Sequence, residues 1–527
     1  DEAYDVLYRA AWNYPHRSAA YFQLATLDCR KGEYPDALEK LEISLGLNAG
    51  HSRAVNLKTA ILRHLGRDEE AKNLAAASVS ADLLDLWAKV ELSHYEDNGD
   101  AIREMFGQKP ENYLDVICDY LEAGLTEDAL YVVELSRSHY PLLHYYRGYC
   151  RHLLGQDGSE DLAFAASLDT GLCFPARLED ISVLKYAIEN NPADANACYY
   201  LGCLYYDRMN YTAAMTAWEK AGKLNPADAY TKRCMAQAYF DHLSQPARAL
   251  ELMKQALELA PDNARILYEL LQMEKNLGFS VKDRLHLLES HSELAKMRDD
   301  CFLDEIILYT QDEQYEKARE LLLSKRFNIY EGGEGKLTRH HGWLYTLMGQ
   351  KALEAGDAEK ALEWLKTGLI YPANYGEGRH YSAQEGNVYY YTGLCHEAMG
   401  DAAKAKEAYQ EAAGQPSQIT EMTFFTALAE AKLGREEDAR KTFRSMVEEG
   451  EKRQASSHRW GYFGVGMAAP LPSELDIKRM NLIDAHLLML LGKAGLGQDY
   501  QSDLDALKVY DPYNSKLDFF QKLGLVK

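Results

Sequence analysis

Residues 194–226 read Asp-Ala-Asn-Ala-Cys-Tyr-Tyr-Leu-Gly-Cys-Leu-Tyr-Tyr-Asp-Arg-Met-Asn-Tyr-Thr-Ala-Ala-Met-Thr-Ala-Trp-Glu-Lys-Ala-Gly-Lys-Leu-Asn-Pro. The spacing predicts two helices joined by a short turn and closed by Pro226. Gly202 and Ala214 are small enough to let the two helices cross closely, while Leu201, Tyr205 and Trp218 fill the space around the crossing. A single hairpin of this kind cannot bury its apolar face, so its neighbours must be copies of it.

Copies are present on both sides. Laid on the tetratricopeptide template, the stretch puts Cys198 at the tryptophan position, Leu201-Gly202 at Leu-Gly, Tyr205 at Tyr, Ala214 at Ala, Trp218 at Phe and Pro226 at Pro. The template alanine recurs at Ala3, Ala37 and Ala71, with Gly32 and Gly66 at the turns ahead of two of them. The phase frays between Trp87 and Pro110, returns at Gly124, Ala129 and Pro141, and runs on through Ala249, Ala318, Ala361, Ala405 and Ala439. Three glycine-rich stretches interrupt the second half: Glu331–Gly335, Gly376–His380 and Trp460–Gly466. The expected fold is therefore all-α, a solenoid superhelix of tetratricopeptide-type hairpins with some irregular repeats and three Gly-rich loops. Its blocks are expected at 1–172, 173–290 and 291–527. Ala3, Leu7, Ala10 and Pro15 fit the second helix of a repeat, so the first hairpin is expected to be truncated and its apolar face partly exposed.

Composition narrows the partners. Asp plus Glu exceed Lys plus Arg by 81 to 58, a formal charge of −23, which repels nucleic acid and anionic membrane surfaces. Apolar runs such as Leu487–Leu491 fall far short of a bilayer span. The nine cysteines are scattered without a Cys-x-x-Cys pair, and read as reduced filler in helix interfaces of a cytoplasmic protein. An excess of Asp and Glu in the groove, if it lies there, selects basic or neutral polar partners.

First helices of such pairs line the concave face, where template positions 2, 5, 9 and 12 reach the groove. In the central unit these include Asn196, Tyr199 and Tyr206, and in the unit before Gly400 they include Asn387 and Tyr390. Two readings stand for them: contacts to a peptide or sugar, or packing against the next repeat. Position 9 reads Thr26, Ala60, Cys203, Ala238, Ile307, Leu394 and Leu428. No Asn is among them, which argues against the Lys/Asn carboxylate clamp of chaperone-binding repeats.

The loops offer further candidates. Glu331 and Glu334 among three glycines form either an acidic pocket or a connector whose glutamates cap the helix beginning near Leu337. Glu377, Arg379 and His380 supply a carboxylate, a bidentate donor and an imidazole; Arg379 alternatively pairs internally with Glu331 or Glu334. His340 and His341 diverge by about 100° on a helix, so at most one joins such a site. Trp460 and Tyr462 suit either a stacking platform or a plug closing the superhelix. The three loops are expected to converge in space. No cofactor, metal site or catalytic residue is expected, and no reaction is identified.

Together, Phe174-Pro-Ala-Arg-Leu-Glu179, Tyr199–Tyr206, Tyr330-Glu-Gly-Gly-Glu-Gly335, Tyr371-Pro372 with Gly376-Glu-Gly-Arg379, and Gly461–Gly466 resemble an uncharacterised bacterial family. Its members carry an N-terminal β-sandwich, similar to galactose-mutarotase-like domains, before a long tetratricopeptide array. The resemblance covers the array and implies a scaffold that packs against that sandwich. The alternatives it leaves open are a share in a carbohydrate-active enzyme, or a peptide-binding adaptor.

Overall fold

The computed structural model describes residues 2–95, 99–107, 109–328, 334–457 and 477–527. Thirty α-helices and one 3-10 turn account for the regular structure of these residues, and no strand occurs among them. The β-sandwich implied by the family resemblance is thus no part of the described residues. The chain packs as two units, Asp1–Thr231 and Lys232–Lys527, whose boundary falls within the helix Ala229–Asp241.

The deciding stretch folds as read. Ala195–Asp207 and Tyr211–Leu224 form the hairpin, with the Asp194 and Asn210 side chains accepting from Ala197 N and Ala213 N at the two helix starts. A Cβ on Gly202 would overlap the indole of Trp218, and Ala214 is fully buried. Gly393 stands in the same relation to the Tyr409 ring, and Gly349 to Leu365. Each crossing leaves no room for one more carbon. The predicted turn glycines Gly32 and Gly66 adopt φ of +80° and +69°, a region side chains disfavour. No residue of the first helix, Glu2–Ala10, is buried.

In the first unit buried charges tie several helices together. Arg63, on the helix Ser52–His64, donates from Nε to Glu91 at 2.8 Å and from Nη2 to Asp128 at 2.9 Å. Tyr120 adds a hydrogen bond to Glu91 at 2.6 Å, and His64 contacts Asp128 at 2.6 Å. Glu91 and Asp128 are both buried. Burial pushes the Asp128 carboxyl up, but His64 and Arg63 outweigh it and hold it below the ordinary range. Nearby, Arg30 donates to the Glu122 carbonyl, and Arg53 pairs with Asp119 and Glu122. The helices Tyr14–Arg30 and Ser52–His64 are thereby tied to Pro110–Glu122.

The second unit closes differently. Its last helix, Ser515–Lys522, returns to the helices Asp299–Gln311 and Lys336–Glu354, well over a hundred residues earlier in sequence. Phe519 and Phe520 meet Trp343, and Phe520 also meets Phe424 and Phe425. Gln311 Nε2 donates to the Tyr513 carbonyl at 3.1 Å, and Lys516 pairs with Glu421 at 3.1 Å. Leu517, Phe519, Phe520, Leu523 and Val526 are all buried. At about 2 kcal/mol each they contribute roughly 10 kcal/mol, an upper estimate that still marks this helix as core rather than exchangeable.

Candidate functional site

The structure distributes the sequence-derived candidates unevenly. Asn387 is buried and donates to Thr346 Oγ1 at 3.0 Å, and Tyr390 is buried against Tyr391, Tyr409 and Phe425. Both lie beneath the surface, because the neighbouring repeat covers that face. Asn196 is half-buried and donates to the carbonyls of Ala166 and Leu168, at the end of the helix Ser159–Ser167. Tyr199 packs beside Tyr200, and Tyr206 against Tyr211 and Trp218.

Of the loops, Glu331, Trp460 and Tyr462 lie outside the described residues. Glu334 is exposed. The first two loops do meet: Gly335 N, at the start of the helix Lys336–Glu354, donates to Glu377 Oε2 at 2.9 Å. The carboxylate at this helix N-terminus therefore comes from the second loop, where the positive end of the helix dipole favours it. Arg379 pairs with Glu385 at 2.7 Å; of the alternative partners read from sequence, Glu331 lies outside the described residues. Glu385 is buried and sits just before the helix Gly386–Ala398, closer along the loop than either expected partner. His380 is exposed and hydrogen-bonds Ser382 at 2.7 Å. These contacts fasten connectors, and the third loop of the expected convergence lies outside the described residues.

The two adjacent histidines divide as their 100° divergence requires. His341 is fully buried, with Nε2 donating to the Thr367 carbonyl at 3.0 Å and Nδ1 accepting from the Tyr375 hydroxyl at 2.7 Å. A carbonyl only accepts, so this fixes a neutral Nε2–H tautomer. Burial pulls its pKa down to about 4. His340 points elsewhere, into a cavity. Its Nε2 lies 3.0 Å from Thr310 Oγ1, whose own proton goes to the Ile306 carbonyl, so His340 is again the Nε2–H donor.

That cavity, of about 240 Å³, is the candidate site. Trp343 and Phe519 form its apolar floor, joined by Leu303 and Ile307 of the helix Asp299–Gln311. One wall carries Asp299, Asp300 and Asp304, and another Lys336, Arg339 and Lys516. Asn328 and Lys336, which flank the first Gly-rich loop, both line it. Each carboxylate of the acidic wall has a partner of its own. Asp299 pairs with Lys325 and accepts from Asn328 N at 2.7 Å; Asp300 pairs with Arg298 at 2.6 Å; Asp304 accepts from Gln272 Nε2 at 2.6 Å. Burial raises the Asp304 pKa against the pull of Lys275. On the basic wall, burial pushes the Glu421 carboxyl up, yet Lys516 and Arg339 overcome it and hold it at about 2. Arg339 itself is exposed and forms no ion pair among the described residues.

Ile307 occupies a groove position of the repeat template. Carried through that unit, positions 2, 5, 9 and 12 give Asp300, Leu303, Ile307 and Thr310, three of which line the cavity. No template marks Ser515, Lys516 or Phe519, which reach the site only because the last helix returns. Among the described residues, no group of three or more His, Cys, Asp or Glu side chains is arranged to hold a metal, and no helix is long and apolar enough to cross a membrane. The cavity offers an apolar floor, donors and acceptors at its edge, and charges of both signs.

Solved structures with similar folds include MamA (41-end) from Desulfovibrio magneticus RS-1, 21% identical, covering 37% of this chain and 99% of that one, with a TM-score of 0.23. YrrB, described as a TPR protein with an unusual peptide-binding site, is 15% identical over 44% of this chain and 96% of its own, with a TM-score of 0.18. Yeast Tom70 is 11% identical over 92% and 97%, with a TM-score of 0.26. Likenesses this distant carry no functional argument. The tetratricopeptide-repeat family model matches residues 387–454, the stretch that holds Gly393, Ala405, Tyr409 and Ala439. With the hairpins described above, the described residues are all-α and stack as tetratricopeptide-type hairpins.

Proposed function

We propose that this chain is a binding scaffold, and that its second unit takes a polypeptide segment into the cavity between the helices Asp299–Gln311, Lys336–Glu354 and Ser515–Lys522. The observation that carries the reading is the combination of the Trp343–Phe519 floor with flanking Asp and Lys/Arg walls. An apolar floor accepts a side chain, and polar walls bond the backbone and charges beside it. The narrower readings, docking of a β-sandwich domain from the same protein or binding of a carbohydrate, have no comparable feature in their favour. Selection of a displayed random-peptide library on the purified chain tests the proposal. Peptides enriched on the wild type should be lost on Ile307→Trp, which fills the cavity from a half-exposed position. A library without binders, or binders indifferent to Ile307→Trp, refutes it.

A further inference from the structure

The cavity wall keeps one acceptor unused. Asp299 is held by Lys325 and Asn328 N, Asp300 by Arg298, and Lys516 by Glu421, so these charges are answered within the chain. Asp304 differs: its Oδ2 accepts from Gln272 Nε2 at 2.6 Å, and no donor reaches its Oδ1 among the described residues. Lys275 and Arg284 act on this carboxylate by charge, against Asp300, so what Oδ1 lacks is a donor rather than a countercharge. The cavity it lines is aromatic, with Tyr268, Phe327, Trp343 and Phe519 around it. A cavity of roughly 150 Å³ holds a benzene ring, so this one, at about 240 Å³, holds a single ring system with a polar edge.

We infer that the anchor of the bound segment is a tryptophan or tyrosine side chain, its ring against Trp343 and Phe519 and its N–H or O–H donated to Asp304 Oδ1. This rests on the peptide-binding reading above and adds the identity of the anchoring residue. Aromatic rings pack edge-to-face or offset on one another and gain beyond the area they bury, which favours a ring over an aliphatic chain here. Covering an acceptor that has no donor is costly, so an anchor that brings the donor is preferred to phenylalanine. A lysine or arginine anchor would share this small cavity with Arg339 and Lys516, and an acidic one would meet Asp304 itself.

The test uses the full chain and capped probes acetyl-Gly-Ser-X-Ser-Gly-amide, with Trp, Tyr, O-methyltyrosine, Phe, Leu or Lys at X, titrated by calorimetry. The better of the Trp and Tyr probes should bind about tenfold more tightly than Phe, and Phe more tightly than Leu. O-methyltyrosine keeps the ring and removes the donor, and should fall to the level of Phe without any change to the protein. Asp304→Leu should erase the gap by weakening the Trp and Tyr probes while Phe binds as before, a probe-dependent change that misfolding cannot mimic. Asp304→Asn keeps an acceptor in place and should keep most of the gap. Equal binding of Phe, Tyr and Trp, or a gap that survives the methyl group or Asp304→Leu, overturns the inference while leaving the peptide-binding reading intact. Tightest binding by the Leu probe overturns it in favour of an aliphatic anchor, and by the Lys probe in favour of a cationic one. Failure of every probe to bind overturns it, and the display selection decides separately whether the wider reading survives.

Discussion

The two units use one repeat and tie distant helices together by different means. In the first, Arg63, Glu91, Asp128 and Tyr120 meet directly, and Arg53 reaches Asp119 and Glu122. In the second, a returning helix inserts Phe519 and Phe520 beside Trp343 and leaves an open cavity at its edge. Charges meeting side by side satisfy one another and leave little for a ligand. An aromatic plug fills volume unevenly and cannot answer every polar group on its rim. A helical array can thus gain closure and still keep a site, if the closing element is apolar and shorter than the face it covers.

The contrast can be broken most forcefully at Phe520. Phe520→Ala should cost about 3–5 kcal/mol by opening a cavity in the second unit. Hydrogen exchange should quicken in the helices around Trp343, while protection around Arg63 stays unchanged; equal loosening of both regions would mean that the return helix is not a local closure. Arg63→Ala comes next, at about 3–4 kcal/mol near neutral pH, because it strands the buried Glu91 and Asp128 carboxylates. Urea unfolding should show this penalty shrinking at acid pH, where the stranded carboxylates take up protons.

His341 sharpens the comparison through pH. Its folded pKa is held down at about 4 against 6.5 for the ordinary imidazole, so the unfolded chain binds the extra proton first. Its contribution is complete above about pH 6.5 and is lost as pH falls towards 4, by up to roughly 3 kcal/mol. His341→Gln should be less stable at neutral pH but flatter across that window in unfolding titrations; an unchanged slope would show that His341 is not the group responsible. Gly202→Ala should cost about 1–3 kcal/mol, since the new methyl meets Trp218, and a melting curve indistinguishable from wild type would contradict the close crossing. The smallest effect is expected from Arg339→Glu, within about 0.5 kcal/mol in stability because the side chain is exposed.

The sequence by itself determined the hairpin. Gly202, Ala214 and Trp218 lie within one repeat, and their spacing specifies a crossing that no distant residue has to supply. The same local logic reached Gly32 and Gly66 at their turns, and it separated His340 from His341. It reached the candidate site through Ile307 and His340. Only the tertiary packing shows that Asn387 and Tyr390 are covered, that Glu377 reaches the start of the Lys336 helix, that Arg379 pairs with Glu385, and that Phe519 and Lys516 complete a cavity with Trp343 and Arg339. The physical reason is range. Periodicity records which residues of a repeat face its neighbour, whereas contacts such as Gln311 with Tyr513 depend on how far the stack has turned before its last helix comes back.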